Sequence, residues 1–155
     1  MLFCRGYGIL KKAASHIIAA SLVSVMYYFA YASNLNQAQM RERCPGSQPL
    51  FVATLPNYKL VFLGWSRGWR GAKASIRSFR GEKILGAIYD VSEQCLKKLD
   101  RYEIGYDRLK VMVFDEVGQS FEAITYITSG HSEEGKPSAE YISVIQQGYK
   151  DWRLV

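Results

Sequence analysis

The chain has 155 residues, of which 48% are hydrophobic and 22% charged. These values suit one globular domain with a buried core and exclude disordered, collagen-like and disulfide-scaffold proteins. The formal net charge is +6, and three of these positive charges lie in residues 1–25, which carry no acid. The remainder is therefore too weakly basic to require a nucleic-acid partner.

Residues 1–26 are predicted to be an extension ahead of the domain, which we place at residues 27–155. Residues 13–26 are apolar and follow Lys11 and Lys12, a pattern typical of a signal peptide or membrane anchor. A membrane span needs about 20 apolar residues, and that length would consume the aromatic run that follows. We expect a helical segment that contributes nothing to the fold, with Met26 as the natural start; an anchor and a docked helix are the alternatives.

The cysteines and histidines give no metal or nucleophile pattern. Cys4, Cys44 and Cys95 contain no CxxC pair, and His16 and His131 have no partner at ligand spacing. An odd number of scattered cysteines is more typical of a reduced protein than of a disulfide framework. We therefore expect reduced cysteines, no metal, no cofactor and a cytoplasmic protein, with attachment to a membrane only if residues 13–26 act as an anchor.

Short strands alternate with three helices in the predicted order of elements. We expect a buried strand at 27–31, a helix at 36–43, strands at 50–55, 59–63, 74–79 and 84–91, a helix at 92–101, strands at 108–114 and 121–127, and a helix from 137 to about 149. Ser92 is a residue type that caps helices, and Asp115–Gly118 gives the strongest hairpin signal. The pattern predicts an α+β domain: a small mixed, partly closed β-barrel with about three flanking helices.

The stretch Tyr31–Leu35 lies where the first strand ends and the first helix is about to begin. Small residues there let backbone amides approach an anion or a carbonyl oxygen. The alternative is that Ser33 or Asn34 only caps the helix.

Glu103 lies just past a helix and is flanked by aromatic and apolar residues. A carboxylate in such surroundings has a raised pKa and can act as a general base near neutral pH. The alternative is a solvated loop carboxylate. Asp100 is a weaker candidate base, because Arg101 and two neighbouring lysines would keep it ionised.

Tryptophans and arginines alternate in Trp65–Gly71, which precedes Lys73, Arg77 and Arg80. Such a stretch could stack bases and neutralise phosphates, or form a rim over a small acidic substrate. It could equally be a solvated cationic loop whose tryptophans fold back on the core. The alternative function is therefore a noncatalytic barrel that binds an anionic small molecule or single-stranded RNA. Its contacts would be Trp65, Arg67, Trp69 and Arg70.

Three segments together resemble the γ-glutamylcyclotransferase family. They are Tyr28–Leu35, Leu99–Glu103 and Pro137–Tyr141, in family order and with family-like separations. The resemblance extends from residue 27 to about residue 154 and implies a small mixed barrel. Family members usually have glycine where this chain has Ala32, and glycine directly after the catalytic glutamate, where it has Ile104.

The resemblance implies an enzyme without a cofactor that releases 5-oxoproline from a small γ-glutamyl amino acid or amine. It implies that Glu103 is the general acid and base. It implies substrate contact for Tyr28, Phe29, Ala30, Tyr31, Ala32, Ser33, Asn34 and Tyr141. In such a substrate the α-amine attacks the γ-carbonyl and closes a five-membered ring, so the protein mainly has to fold the substrate into an attack conformer.

Overall fold

The structure is a computed structural model that describes residues 25–155. Its elements, in chain order, are β1 (Met26–Ala30), a 3₁₀ turn (Ala32–Leu35), α1 (Gln37–Arg43), β2 (Gln48–Ser66), β3 (Gly71–Val91), α2 (Glu93–Tyr102), β4 (Tyr106–Phe114), β5 (Ser120–Thr128) and α3 (Ala139–Asp151). The predicted helix or anchor in residues 1–24 lies outside the described range. Within that range, no helix has both the length and the apolar character needed to cross a membrane.

The five strands form a closed barrel in the order β1-β3-β2-β4-β5. Strand β1 runs antiparallel to β3 and meets β5 in parallel where Tyr28 faces Ile124. Strands β2 and β4 meet where Thr54 faces Phe114. The predicted α+β class, with a small mixed barrel and three helices, is confirmed.

Strands β2 and β3 are long, at 19 and 21 residues, where four short strands were predicted. Pro56 and Asn57, a turn pair that separates two of the predicted strands, form a bulge instead of a turn, since the pairing register shifts between Pro56 and Tyr58. Proline is tolerated at a bulge because no ladder hydrogen bond is needed there. Asn57 takes a φ of +61°, and its side chain accepts a hydrogen bond from Gly81 N at 3.2 Å. Both strands therefore continue past residues that ordinarily form turns.

The side chains of β1 alternate between two apolar clusters, as expected for a strand. Phe29 points into the barrel interior, whereas Tyr28 and Ala30 face a second cluster beneath α1 and α2. Leu96 and Leu99 of α2 belong to this second cluster and are fully buried. The outer face of β1 is therefore covered by the helices that carry Glu103 and its neighbours.

Cys44 and Cys95 form a disulfide that joins the end of α1 to the first turn of α2. Their Cα atoms are 5.4 Å apart, and both residues are buried. The prediction that these cysteines are reduced is therefore wrong, because the fold brings together two residues that are 51 positions apart. Cys4 lies outside the described residues.

Helix α3 packs directly on the 3₁₀ turn. A Cβ atom at Gly148 would lie 2.6 Å from Asn36 N, so only glycine allows this approach. Trp152 Nε1 donates to Leu35 O at 2.9 Å, and Asn36 Nδ2 donates to Val144 O at 3.2 Å. These contacts fix the turn between β1 and α1.

Candidate active site

A cleft of about 260 Å³, including its open mouth, lies among the 3₁₀ turn, the end of α2 and the start of α3. Its walls are Tyr28, Tyr31, Ala32, Ser33, Asn34, Ala74, Glu103, Tyr106, Tyr126 and Tyr141. Seven of the nine residues predicted for the site therefore share one cleft. Phe29 and Ala30 do not line it: both are fully buried and support the wall from behind.

Glu103 projects into the cleft from the C-terminal end of α2. Its backbone N–H donates to Leu99 O at 3.0 Å, which continues the helical pattern by one residue. The side chain is only 12% exposed, and this burial raises its pKa above the ordinary glutamate range. A hydrogen bond from Asn34 and the charges of Arg43 and Lys73 oppose the increase only in part. Glu103 therefore has the electrostatic character expected of a general base.

Asn34 holds the Glu103 carboxylate in place. Its Nδ2 atom donates to Glu103 Oε1 and to the Tyr28 hydroxyl, both at 2.7 Å. Its Oδ1 atom accepts from Gln39 Nε2 at 3.1 Å and from Arg43 Nη1 at 3.2 Å. Because an ionised carboxylate can only accept and a guanidinium can only donate, these partners fix the orientation of the amide.

The alternative that Ser33 or Asn34 caps α1 does not hold, because Asn36 is the cap. Its Oδ1 atom accepts from Gln39 N at 3.0 Å. The side chain of Asn34 is consequently free to enter the cleft.

Two cations near Glu103 were not assigned to the site from the sequence. Arg43 Nη1 lies 3.7 Å from Glu103 Oε1. Lys73 Nζ donates to Ile104 O at 3.0 Å and lies 4.5 Å from the centre of the Tyr106 ring. Arg43 ends a helix whose sequence gives no sign of this role, and Lys73 appeared only as part of a cationic stretch.

The tyrosines of the cleft are held in place by backbone groups. Tyr141 accepts a hydrogen bond from Ala74 N at 3.0 Å, and the Tyr106 hydroxyl donates to Ala74 O. Tyr31 donates to Tyr126 O at 2.7 Å. Burial raises the pKa of each of these tyrosines, so the cleft presents neutral hydroxyl groups at neutral pH.

Asp100 lies outside the cleft and is ionised for a different reason from the one expected. Arg108 binds it through two hydrogen bonds of 3.0 and 2.8 Å, and these bonds hold the pKa of Asp100 below its usual range. The sequence suggested that Arg101, Lys97 and Lys98 would keep it ionised.

Two residues of the tryptophan–arginine stretch, and one of the cations that follow it, make contacts within the protein. Trp69 stacks on Tyr141 with ring centres 4.7 Å apart, so it supports the cleft wall. Arg70 lies 3.5 Å from Glu140, and Arg77 lies 2.9 Å from Glu134. Trp65, by contrast, is 68% exposed. The contacts of Trp69, Arg70 and Arg77 leave fewer side chains available to a nucleic acid.

Within residues 25–155, no group of three or more histidine, cysteine, aspartate or glutamate side chains is placed to hold a metal ion. The side chains that converge in the cleft are instead one buried carboxylate, one amide and several phenols. This set can transfer protons and donate hydrogen bonds.

Comparison with known proteins agrees with this combination of barrel and cleft. The family described as gamma-glutamyl cyclotransferase, AIG2-like, matches residues 28–153. The gamma-glutamylcyclotransferases of Homo sapiens and Mus musculus are 31% and 29% identical to this chain, over 80% of its length and 70% of theirs. A solved structure of a gamma-glutamyl cyclotransferase is 28% identical and superposes with a TM-score of 0.79, covering 83% of this chain and 80% of that one.

The chain therefore belongs to the gamma-glutamyl cyclotransferase, AIG2-like family. It is an enzyme of the cyclotransferase type, which removes the basis for the noncatalytic alternative. Ala32 adopts a φ of +51°, in the left-handed region that favours glycine. This backbone conformation accounts for the glycine that the family usually has at that position.

Proposed function

We propose that this enzyme releases 5-oxoproline from a small γ-glutamyl amino acid or γ-glutamyl amine, with Glu103 as the general base and then the general acid. One observation carries the proposal. A buried carboxylate with a raised pKa opens into a cleft walled by neutral tyrosine hydroxyls. The family supports the reaction type, and the cleft supports the assignment of the proton-transfer group.

The first step needs a base with a free oxygen. Asn34 holds Oε1 of Glu103, and no donor in the described part of the chain hydrogen-bonds Oε2. In the same residues, Oε2 is not one of the fully buried side-chain atoms that lack a hydrogen-bond partner. Part of its surface is therefore open to the cleft. It can therefore take a proton from the substrate's α-ammonium group.

Ring closure then uses the substrate's own nucleophile. The freed α-amine attacks the γ-carbonyl carbon, and a C–N bond forms as the carbonyl becomes a tetrahedral oxyanion. When this intermediate collapses, the bond to the leaving nitrogen breaks and Glu103 returns its proton to that nitrogen. The attacking nitrogen also gives up its second proton to the Glu103 carboxylate, which passes it to the departing amine, so that the products are the neutral lactam and an ammonium ion. The reaction needs no metal, nucleotide or added water, because both reacting groups belong to one molecule.

The remaining cleft residues are proposed to bind the γ-glutamyl part. The hydroxyls of Tyr28 and Tyr141 can donate to carboxylate or carbonyl oxygens, and Ser33 offers a further hydroxyl. The first N–H groups of the 3₁₀ turn have no partner within the turn. They are suited to the α-carboxylate or the oxyanion.

The test is Glu103→Gln in the full chain, assayed with a panel of γ-glutamyl amino acids and amines by mass spectrometry of 5-oxoproline. Glutamine keeps the shape and can still accept from Asn34, but it cannot transfer the proton. We expect turnover to fall by at least 100-fold. Glu116→Gln, on the exposed hairpin loop, is the matched control and should keep full activity. Near-normal cyclisation by Glu103→Gln would show that another group is the base.

A further inference from the structure

Lys73 lies at the rim of the cleft beside the proposed base. It precedes Ala74, which lines the cleft, and its Nζ donates to the carbonyl of Ile104, the residue after Glu103. The same ammonium group lies 4.5 Å from the centre of the Tyr106 ring, another wall of the cleft. Two independent contacts therefore hold a positive charge at this position.

The described part of the chain holds no counter-ion for Lys73 within hydrogen-bond reach. Among residues 25–155, no carboxylate lies within 4.0 Å of its Nζ, whereas Arg70 and Arg77 near the same end of β3 pair with Glu140 and Glu134. Lysine has three ammonium hydrogens. One is used by Ile104 O and one side of the group faces the Tyr106 ring, which leaves a donor for another acceptor.

We propose that Lys73 determines specificity for the leaving group, by binding a carboxylate on the amine that departs from the γ-glutamyl unit. This inference rests on the proposed function, because it places the leaving group beside Glu103. The preferred substrates are then γ-glutamyl compounds whose leaving amine carries a carboxylate, as an amino acid does. Compounds that release an alkylamine without a carboxylate should be poorer substrates.

The reaction geometry leads to this assignment. Glu103 must reach the leaving nitrogen to return its proton, so the leaving group begins within hydrogen-bond distance of that carboxyl. In an amino acid the carboxylate is only two bonds from this nitrogen. A cation adjoining Glu103 is therefore close enough to bind it.

The direction of the pKa shift of Lys73 is also what a site that binds an anion would show. Burial lowers the pKa of Lys73, and the neighbouring charge of Arg43 lowers it further, while Glu103 opposes the decrease. A substrate carboxylate beside Lys73 would supply the negative charge that the half-buried ammonium lacks.

The test compares γ-glutamylalanine with γ-glutamylethylamine, because their leaving groups differ only by a carboxylate. The wild-type chain should have the higher kcat/KM for γ-glutamylalanine. In Lys73→Met the ratio of the two kcat/KM values should fall by about 10- to 100-fold, the value of a lost charge-assisted hydrogen bond. Lys73→Arg keeps the charge and should retain most of the ratio.

Lys59→Met is the matched control. Lys59 Nζ also lies over an aromatic ring, 4.4 Å from the centre of Phe79, but Lys59 does not line the cleft. Its removal should leave the ratio unchanged. Loss of the Lys73 charge also raises the pKa of Glu103, but this affects both substrates alike and cancels in the ratio.

The possible outcomes separate the two proposals. Failure of the wild-type chain to form 5-oxoproline from either compound would overturn the proposed function. Turnover of both compounds, with the same ratio in the wild type and in folded Lys73→Met, would overturn the role of Lys73 alone. Midpoints of urea unfolding establish that the variants are folded.

Discussion

Asn34→Ala removes the residue that connects the 3₁₀ turn, α1 and the proposed base. The substitution deletes four hydrogen bonds, two of which have charged partners, Glu103 and Arg43. A bond to a charged group contributes about 1.5–3 kcal/mol and a neutral one about 1 kcal/mol, so the upper limit is about 5–8 kcal/mol. Since water can enter the cleft and solvate the charged partners, we expect a loss of about 3–5 kcal/mol in the free energy of unfolding.

The same substitution should change the pH dependence of turnover. The hydrogen bond from Asn34 lowers the pKa of Glu103 against the effect of burial. Without it the pKa rises further. A general base works when it is ionised, so the acid limb of the kcat/KM profile should move to higher pH. The carboxylate also loses its fixed position, and a misplacement of about 1 Å can cost about 100-fold in rate.

Urea unfolding and a pH–rate profile measure the two effects of Asn34→Ala separately. Gln39→Ala is the control, because it removes only one of the four bonds, to Asn34 Oδ1, and leaves both donor contacts intact. We expect it to cost about 1 kcal/mol and to leave the acid limb in place. A stability loss below about 1 kcal/mol for Asn34→Ala, with an unchanged acid limb, would refute this account of Asn34.

Three further predictions concern the base, the disulfide and the cleft wall. Glu103→Gln should increase the free energy of unfolding at neutral pH, because the raised pKa means that ionisation of Glu103 costs the folded state. Chemical unfolding measured over a range of pH should show that this gain disappears as the pH falls below the ordinary glutamate pKa. There the wild-type carboxyl is protonated in both the folded and the unfolded protein, so a gain that persists contradicts the reasoning. Cys44→Ser with Cys95→Ser should lower the free energy of unfolding by roughly 4 kcal/mol, from the entropy of closing a loop of about 51 residues, and an unchanged urea midpoint would show that the bond constrains little. Tyr141→Phe should cost about 1–3 kcal/mol by leaving the Ala74 N–H without its acceptor, and should raise KM more than it lowers kcat; a fall in kcat alone would assign Tyr141 to the chemistry instead.

Local sequence signals predicted several of the elements around the proposed base. Ser92 caps α2 as expected, with its Oγ accepting from Cys95 N at 3.1 Å. The hairpin around Asp115–Gly118 also forms, and its Asp115 side chain accepts from Gln119 N at 2.8 Å. Each feature depends on residues only a few positions apart. The helix predicted from residue 92 to residue 101 places Glu103 just past its end, and α2 ends at Tyr102.

Contacts between distant residues could not be predicted in this way. The Cys44–Cys95 bond and the approach of Arg43 to Glu103 both depend on how α1 packs beside α2. Lys73 reaches the cleft only because β3 passes the end of α2. The long strands were also missed, since Pro56 and Asn57 have strong turn preferences that the bulge accommodates. In each case tertiary packing outweighs the local preference.

The two hydrogen bonds at Ala74 also restrict how a ligand can approach the barrel. Ala74 pairs in register with Phe62 of β2, while its N–H and C=O are bound by the hydroxyls of Tyr141 and Tyr106. An incoming peptide that extends a sheet must bond to free backbone groups at a strand edge. Here two phenols take the place of that neighbouring strand. The backbone groups of Ala74 are therefore not available to pair with an added strand.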